Sequence, residues 1–182
     1  MACLHVEVGV ALMATPATMV RGAVISDDEK YRYVLTRVWD ELLPTLSAVL
    51  LNPSKASHLD DDNTADKFVR ICTNLGYGGF RFGNLFAWRS TKPEGLLTTV
   101  DPVGPDNDDT LRAMAADGPL VAAWGLPSNS RVQRLTKIRA YDVVTSVLPG
   151  VEWSCFDVTK DGWPRHPLYL PDASTLRPWR LP

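Results

Sequence analysis

Leu46-Ser47-Ala48-Val49-Leu50-Leu51-Asn52-Pro53-Ser54 is the stretch whose reading decides the fold. The six residues 46–51 form a short apolar run with no polar alternation. A run of that length reads as a strand buried on both faces, the form typical of parallel sheets. Asn52-Pro53 closes it, because the proline ring removes an N–H and holds the preceding residue extended. A strand covered on both faces needs helices around it, and the flanking sequence supplies them.

Downstream, Asp62 or Thr64 can cap a helix in which Ala65, Phe68, Val69, Cys72 and Leu75 recur at helical spacing. Gly76, Gly78 and Gly79 end it. Residues 80–88 then alternate like a strand, with Phe82, Asn84, Phe86 and Trp88 on one face. A loop with Lys92-Pro93-Glu94-Gly95 follows, and Pro105-Asp106-Asn107 introduces a helix carrying Leu111 and Met114. Residues 120–124 are a further short buried strand, closed by Gly125. Ser128 or Asn129 starts a long helix running to about Leu148, and 153–158 is a last strand. Lys160-Asp161-Gly162 is a turn, Pro164-Arg165-His166-Pro167 an extended loop, and Pro171 and Pro178 mark an irregular tail. Upstream, 31–39 reads as a strand behind the polar turn 26–30. This order predicts one three-layer α/β domain with a mostly parallel central sheet and helices on both faces. Residues 23–182 form that domain, and residues 1–22 read as a weakly ordered N-terminal extension or an added strand.

A chain of 182 residues has the size of one domain, and 45 % apolar with 22 % charged residues is ordinary for a globular one. The net charge of −2 argues against a broad basic nucleic-acid surface but leaves room for a local basic rim. Charge is segregated along the chain. Asp60, Asp61 and Asp62 form one acidic run and Asp106, Asp108 and Asp109 another, whereas Arg131, Arg134, Lys137 and Arg139 form a basic stretch. Such runs read first as solvated helix faces or ends. Cys3, Cys72 and Cys155 are widely spaced with no CxxC pair, and the three histidines lack ligand spacing, so no metal site is expected. The cysteine pattern fits a reducing cytoplasm. The first twenty residues lack a basic n-region and are broken by His5, Glu7 and Pro16, which argues against a signal peptide and against a membrane span.

Ligands of open parallel sheets bind beyond the carboxyl ends of the strands. Asn52, Pro53 and Ser54 fall there, with the Asn52 amide fixed at the rim by the proline. A carboxamide offers donors and an acceptor, so it can hold a water or a base edge. Asn84 lies inside a predicted strand, where a buried amide needs partners. Phe86 can stack on a planar ligand, and Trp124-Gly125 offers a flat aromatic followed by a close backbone approach. Lys55, Arg89 and Lys92 lie near the same rim and can neutralise phosphates. His166, between Arg165 and Pro167, can act as acid, base or donor to a developing anion. The chain has no GxGxxG, Walker loop, GxSxG or HExxH, so the common dinucleotide, nucleotide, hydrolase and zinc-protease readings lose support.

Five blocks carry a family resemblance. They are Leu50-Leu51-Asn52-Pro53-Ser54, Gly76-Tyr77-Gly78-Gly79, Asn84-Leu85-Phe86-Ala87-Trp88-Arg89-Ser90-Thr91, Ala122-Ala123-Trp124-Gly125, and residues 159–169, Thr-Lys-Asp-Gly-Trp-Pro-Arg-His-Pro-Leu-Tyr. In this order the chain resembles domain-of-unknown-function family 1643 of bacteria and phages over residues 31–170. The block order is also similar to the uracil-DNA glycosylase superfamily. That likeness implies a uracil-DNA-glycosylase-like fold in which Asn52 positions the attacking water. It further implies that Asn84 binds a flipped base, Phe86 or a neighbour stacks on it, and His166 stabilises the departing base anion. Pro167 and Leu168 would lie near the duplex, with Arg165 among the DNA contacts. The chain has Leu50 where that superfamily usually has Gly, and His-Pro-Leu where it usually has His-Pro-Ser. The implied substrate is therefore an unusual or modified base rather than uracil itself.

Three functions follow as expectations. The first is a DNA glycosylase-like hydrolase that flips a base into a pocket, needing no metal or organic cofactor. The second is an enzyme acting on a free nucleotide or nucleoside. The third is a non-catalytic module that binds modified DNA or a protein. The expected partner is DNA through local contacts, or a nucleotide, without a membrane; the oligomeric state is left open, a monomer being compatible.

Overall fold

The computed structural model describes residues 19–54 and 63–182. The decisive apolar run forms β3 (Thr45–Leu50), the middle strand of a seven-stranded sheet. Across the sheet the order is β1 (Val20–Ile25), β2 (Arg32–Val38), β4 (Gly79–Asn84), β3, β5 (Leu120–Ala122), β6 (Trp153–Cys155) and β7 (Arg177–Trp179). Ala48 and Val49 of β3 are fully buried although they face opposite sides, as a strand covered on both faces requires.

Helix α1 (Asn63–Asn74) packs on one face. Its Phe68 sits edge-on to Phe80, Phe82 and Phe156, with ring centroids 5.3, 4.8 and 5.7 Å away. Edge-to-face contacts of this kind favour the core by about 0.5–1.5 kcal/mol per pair beyond simple burial. Helices α2 (Asn107–Ala116) and α3 (Ser130–Asp142) cover the other face. There Leu111, Met114, Val132 and Ala140 pack against Val49, Leu85 and Leu120. The three-layer expectation holds.

The sheet is mixed, where a mostly parallel one was expected. β4, β3, β5 and β6 run parallel, but β1 pairs antiparallel with β2, β2 with β4, and β7 with β6. Antiparallel neighbours can be joined without a crossover helix. β1 and β2 use that freedom, meeting through the polar turn 26–31. The segment read as an irregular tail contributes β7, a three-residue edge strand with Pro178 at its centre. Proline is tolerated on an edge because the missing N–H can face away from the ladder. β1 starts at Val20, so residues 20–22 belong to the sheet.

Three boundaries also differ from expectation. The strand predicted over 80–88 ends at Asn84, because Ala87 donates to Val103 O (3.0 Å) and accepts from Arg32 N–H (2.9 Å) instead of continuing the ladder. The strand predicted over 153–158 ends at Cys155, and Val158 pairs with Pro164 in a separate small turn. α3 ends at Asp142 and continues as one π turn (Val143–Val147) rather than as a single helix. Among the described residues, no helix is long and apolar enough to cross a membrane.

Candidate active site

Beyond the ends of β3 and β4 the two chains stay zipped together. Leu85 N–H donates to Leu50 O (2.8 Å), Phe86 N–H to Leu51 O (3.0 Å), and Ser90 N–H to Pro53 O (2.9 Å). This holds Asn52-Pro53-Ser54 beside the carboxyl end of β4. The Asn52 amide nitrogen donates to Ser90 O (2.9 Å) and Pro53 O (3.1 Å). Both N–H bonds are thus spent on fixing the side chain, which leaves Oδ1 as its atom for a ligand.

A pocket of about 220 Å³ opens at this edge, on the α1 side of the sheet. Asn52, Pro53, Ser54, Asn84 and His166 all line it. Asn84 is only 4 % exposed, and among the described residues its amide has no hydrogen-bond partner. The buried Ser54 hydroxyl likewise has none. The Asn84 amide opens onto the pocket, so its donor and acceptor are presented to whatever fills that space.

The backbone that carries Asn84 is held from the opposite face. Asn107, fully buried at the start of α2, donates through Nδ2 to Asn84 O (3.1 Å) and Leu85 O (3.2 Å). Arg139 of α3 donates through Nε to Leu85 O (3.0 Å) and pairs with Asp108 and Asp142.

His166 reaches the pocket from the other end of the chain. It caps a short 3-10 turn (Pro167–Tyr169), its Nδ1 accepting from Leu168 N–H (3.3 Å). A neutral imidazole that accepts at Nδ1 carries its proton on Nε2, so that nitrogen is a donor. Gly125 fixes the loop's approach. Its φ of +63° is a left-handed value that favours glycine, and a Cβ there would lie 2.9 Å from His166 Cβ.

Other residues singled out in the sequence lie elsewhere. Phe86 is buried in the α2/α3 core, so it does not share the Asn84 face. Trp124 is 1 % exposed and packs edge-on to Trp153 and Trp179, at 5.8 and 5.3 Å, rather than lining the pocket. Arg89 donates to Glu29 O (2.9 Å). Lys92 is exposed beside the pocket's Ser90-Thr91-Pro93 wall, its carbonyl accepting from Ser90 Oγ (2.6 Å). Arg165 is tied to Asp157 and Val158 O. Lys55 lies outside the described residues.

Sequence reasoning missed Arg32, Thr64, Ser90 and Thr91 on the pocket wall. Arg32 had a signal, a cation at the head of a strand carrying Tyr33, Val34 and Leu35, and it is 7 % exposed. Burial pushes the Cys72 and Cys155 thiols up, so neither is a ready nucleophile. Among the described residues, no group of three or more His, Cys, Asp or Glu side chains is placed to hold a metal ion.

Residues 32–168 match the model of the family described as protein of unknown function (DUF1643). The chain belongs to that family. The DUF1643 match opens at Arg32 and extends past His166, so every residue lining the pocket falls inside it. No curated protein matches the chain.

Proposed function

We propose that this DUF1643 protein hydrolyses the N-glycosidic bond of an unusual or modified nucleobase taken into the Asn84 pocket. The carrying observation is convergence. Asn52, Asn84 and His166, far apart in sequence, line one pocket into which the Asn84 amide opens without a bond to the described chain. At about 220 Å³ the pocket is smaller than the roughly 300–1,000 Å³ of drug-sized sites, which suits a single heterocycle.

Each group has a role that its local bonding supports. The Asn84 carboxamide offers a donor and an acceptor to the edge of a base. Asn52 Oδ1 accepts from a water and orients it toward the sugar carbon. As the glycosidic bond breaks, its electron pair leaves with the base, and the His166 Nε2 proton stabilises the anion that develops. The water oxygen bonds to the sugar carbon and its proton passes to solvent, since an amide is a poor base. In duplex DNA the base must first be extruded from the stack.

The test is release of free base, followed by mass spectrometry, from single-stranded and duplex DNA carrying uracil, hydroxymethylated or glucosylated bases. Release that disappears in Asn52→Ala and in His166→Ala is the expected result. No release from any of these substrates would remove the reading for those bases. A second reading, an enzyme acting on a free nucleotide or nucleoside, draws on the net charge of −2, since a free substrate needs no long basic track.

A further inference from the structure

The basic stretch of α3 has no part in the pocket chemistry, and it gathers on one helix cations that the other helices pair off. Arg81 pairs with Asp117, Arg112 with Asp109, Arg139 with Asp108 and Asp142, and Arg177 with Asp157. Among the described residues Arg131, Arg134 and Lys137 have no carboxylate partner. Arg131 and Arg134 are exposed one turn apart, about 4.5 Å along the helix axis. Ile138 and Tyr141 continue the same stripe and are 59 % and 60 % exposed. In a chain of net charge −2, three unpaired cations on one helix form a concentrated positive ridge.

α3 lies on the face of the sheet opposite the pocket, and two contacts lead from it around the carboxyl edge to the His166 loop. The loop leading into α3 begins at Gly125, which lies against His166. Further along, Lys137 Nζ lies 5.4 Å above the Trp163 ring, three residues before His166. The His166 loop turns Tyr169 outward at 77 % exposure, its ring 6.1 Å from the His166 ring. Unpaired cations interleaved with exposed aromatics suit a polyanion whose bases can stack.

We infer that the exposed ridge of α3 binds the sugar–phosphate backbone of the nucleic-acid strand whose base enters the Asn84 pocket. Arg131 and Arg134 neutralise phosphates, and Tyr169, beside His166, offers a stacking surface. This inference rests on the base-processing reading for the link to the pocket, and it selects a polymeric substrate over a free nucleotide.

The test is fluorescence anisotropy of labelled, unmodified oligonucleotides, single-stranded and duplex, titrated with the full chain from about 50 to 200 mM salt. Arg131→Ala/Arg134→Ala should weaken binding at least tenfold at the lower salt. It should also flatten the log–log salt slope for duplex by about 1.8, since each lost phosphate contact removes about 0.9. Arg131→Lys/Arg134→Lys should keep the slope, and Arg112→Glu, which lowers net charge elsewhere, should leave most of the affinity. Wild-type affinity and slope in the alanine pair would overturn the inference, as would no binding of either oligonucleotide by the wild-type chain. Base release from a free deoxynucleoside without oligonucleotide binding would leave the pocket reading standing and the ridge wrong. Binding that depends on the ridge, without release of any base, would do the reverse.

Discussion

Asn84 and Asn107 are two buried asparagines at the same end of β4, one on each side of the sheet. Asn107 spends both amide hydrogens on the backbone carbonyls of Asn84 and Leu85, where Arg139 adds a third bond. Asn84 is nearly as buried, yet its amide has no partner among the described residues. One side of the strand uses its polar groups to hold the chain still. The other presents polar groups to a pocket. The contrast teaches that burial alone does not mark a site; what marks it is an amide that makes no bond within the fold and opens onto a pocket at the sheet's carboxyl edge.

The sharpest way to break this contrast is on the side assigned to structure. Trp124→Ala should destabilise the chain by about 3–5 kcal/mol, read as a shifted urea midpoint, because its ring fills the cluster with Trp153 and Trp179. A small loss there would return Trp124 to the list of ligand contacts. Asn107→Ala should cost about 1–3 kcal/mol by orphaning Asn84 O, Leu85 O keeping its bond from Arg139, and it should lower base release as well, because Asn84 loses its support. Gly125→Ala should cost about 1–2 kcal/mol from its left-handed backbone and should displace His166, so release falls more than stability suggests.

The smallest effect belongs to the strap behind the His166 loop. Lys67, and then Arg70, hold the Asp172 carboxyl below the usual carboxylate range. A carboxylate lowered on folding adds stability that is present above its unfolded pKa and lost as pH falls through the folded one. Asp172 is 41 % exposed at its side chain, so solvent screens the pair and Asp172→Asn should cost less than about 1 kcal/mol at pH 7. Urea midpoints of wild type and variant should converge as the pH is lowered through the carboxylate range.

Much of this was legible in the sequence because it depends on local pattern. The apolar run 46–51 identified the central strand, and the spacing of Ala65, Phe68, Val69 and Cys72 identified the face of α1. The antiparallel edges were not legible. β7 is only three residues with a proline, and β1 lies in a small, apolar stretch with no strict alternation, so neither gives a periodic signal. At the site, Asn52, Asn84 and His166 stood out as polar residues at strand ends or in a proline-fixed loop. Phe86 and Trp124 could not be sorted from ligand contacts, since an aromatic at a strand end looks the same in sequence whether it turns to a core or to a pocket. Arg32 and Asn107 owe their positions to long-range packing between β2, α2 and β4, which no local window contains.

The most direct measurement is Asn84→Ala read in two ways on one preparation, by urea unfolding and by release of base from modified oligonucleotides. Because the amide makes no bond within the described chain, stability should stay within about 1 kcal/mol of wild type while release falls by roughly a hundredfold or more. A variant that loses several kcal/mol of stability yet releases base at the wild-type rate would show that Asn84 serves the fold and not a ligand.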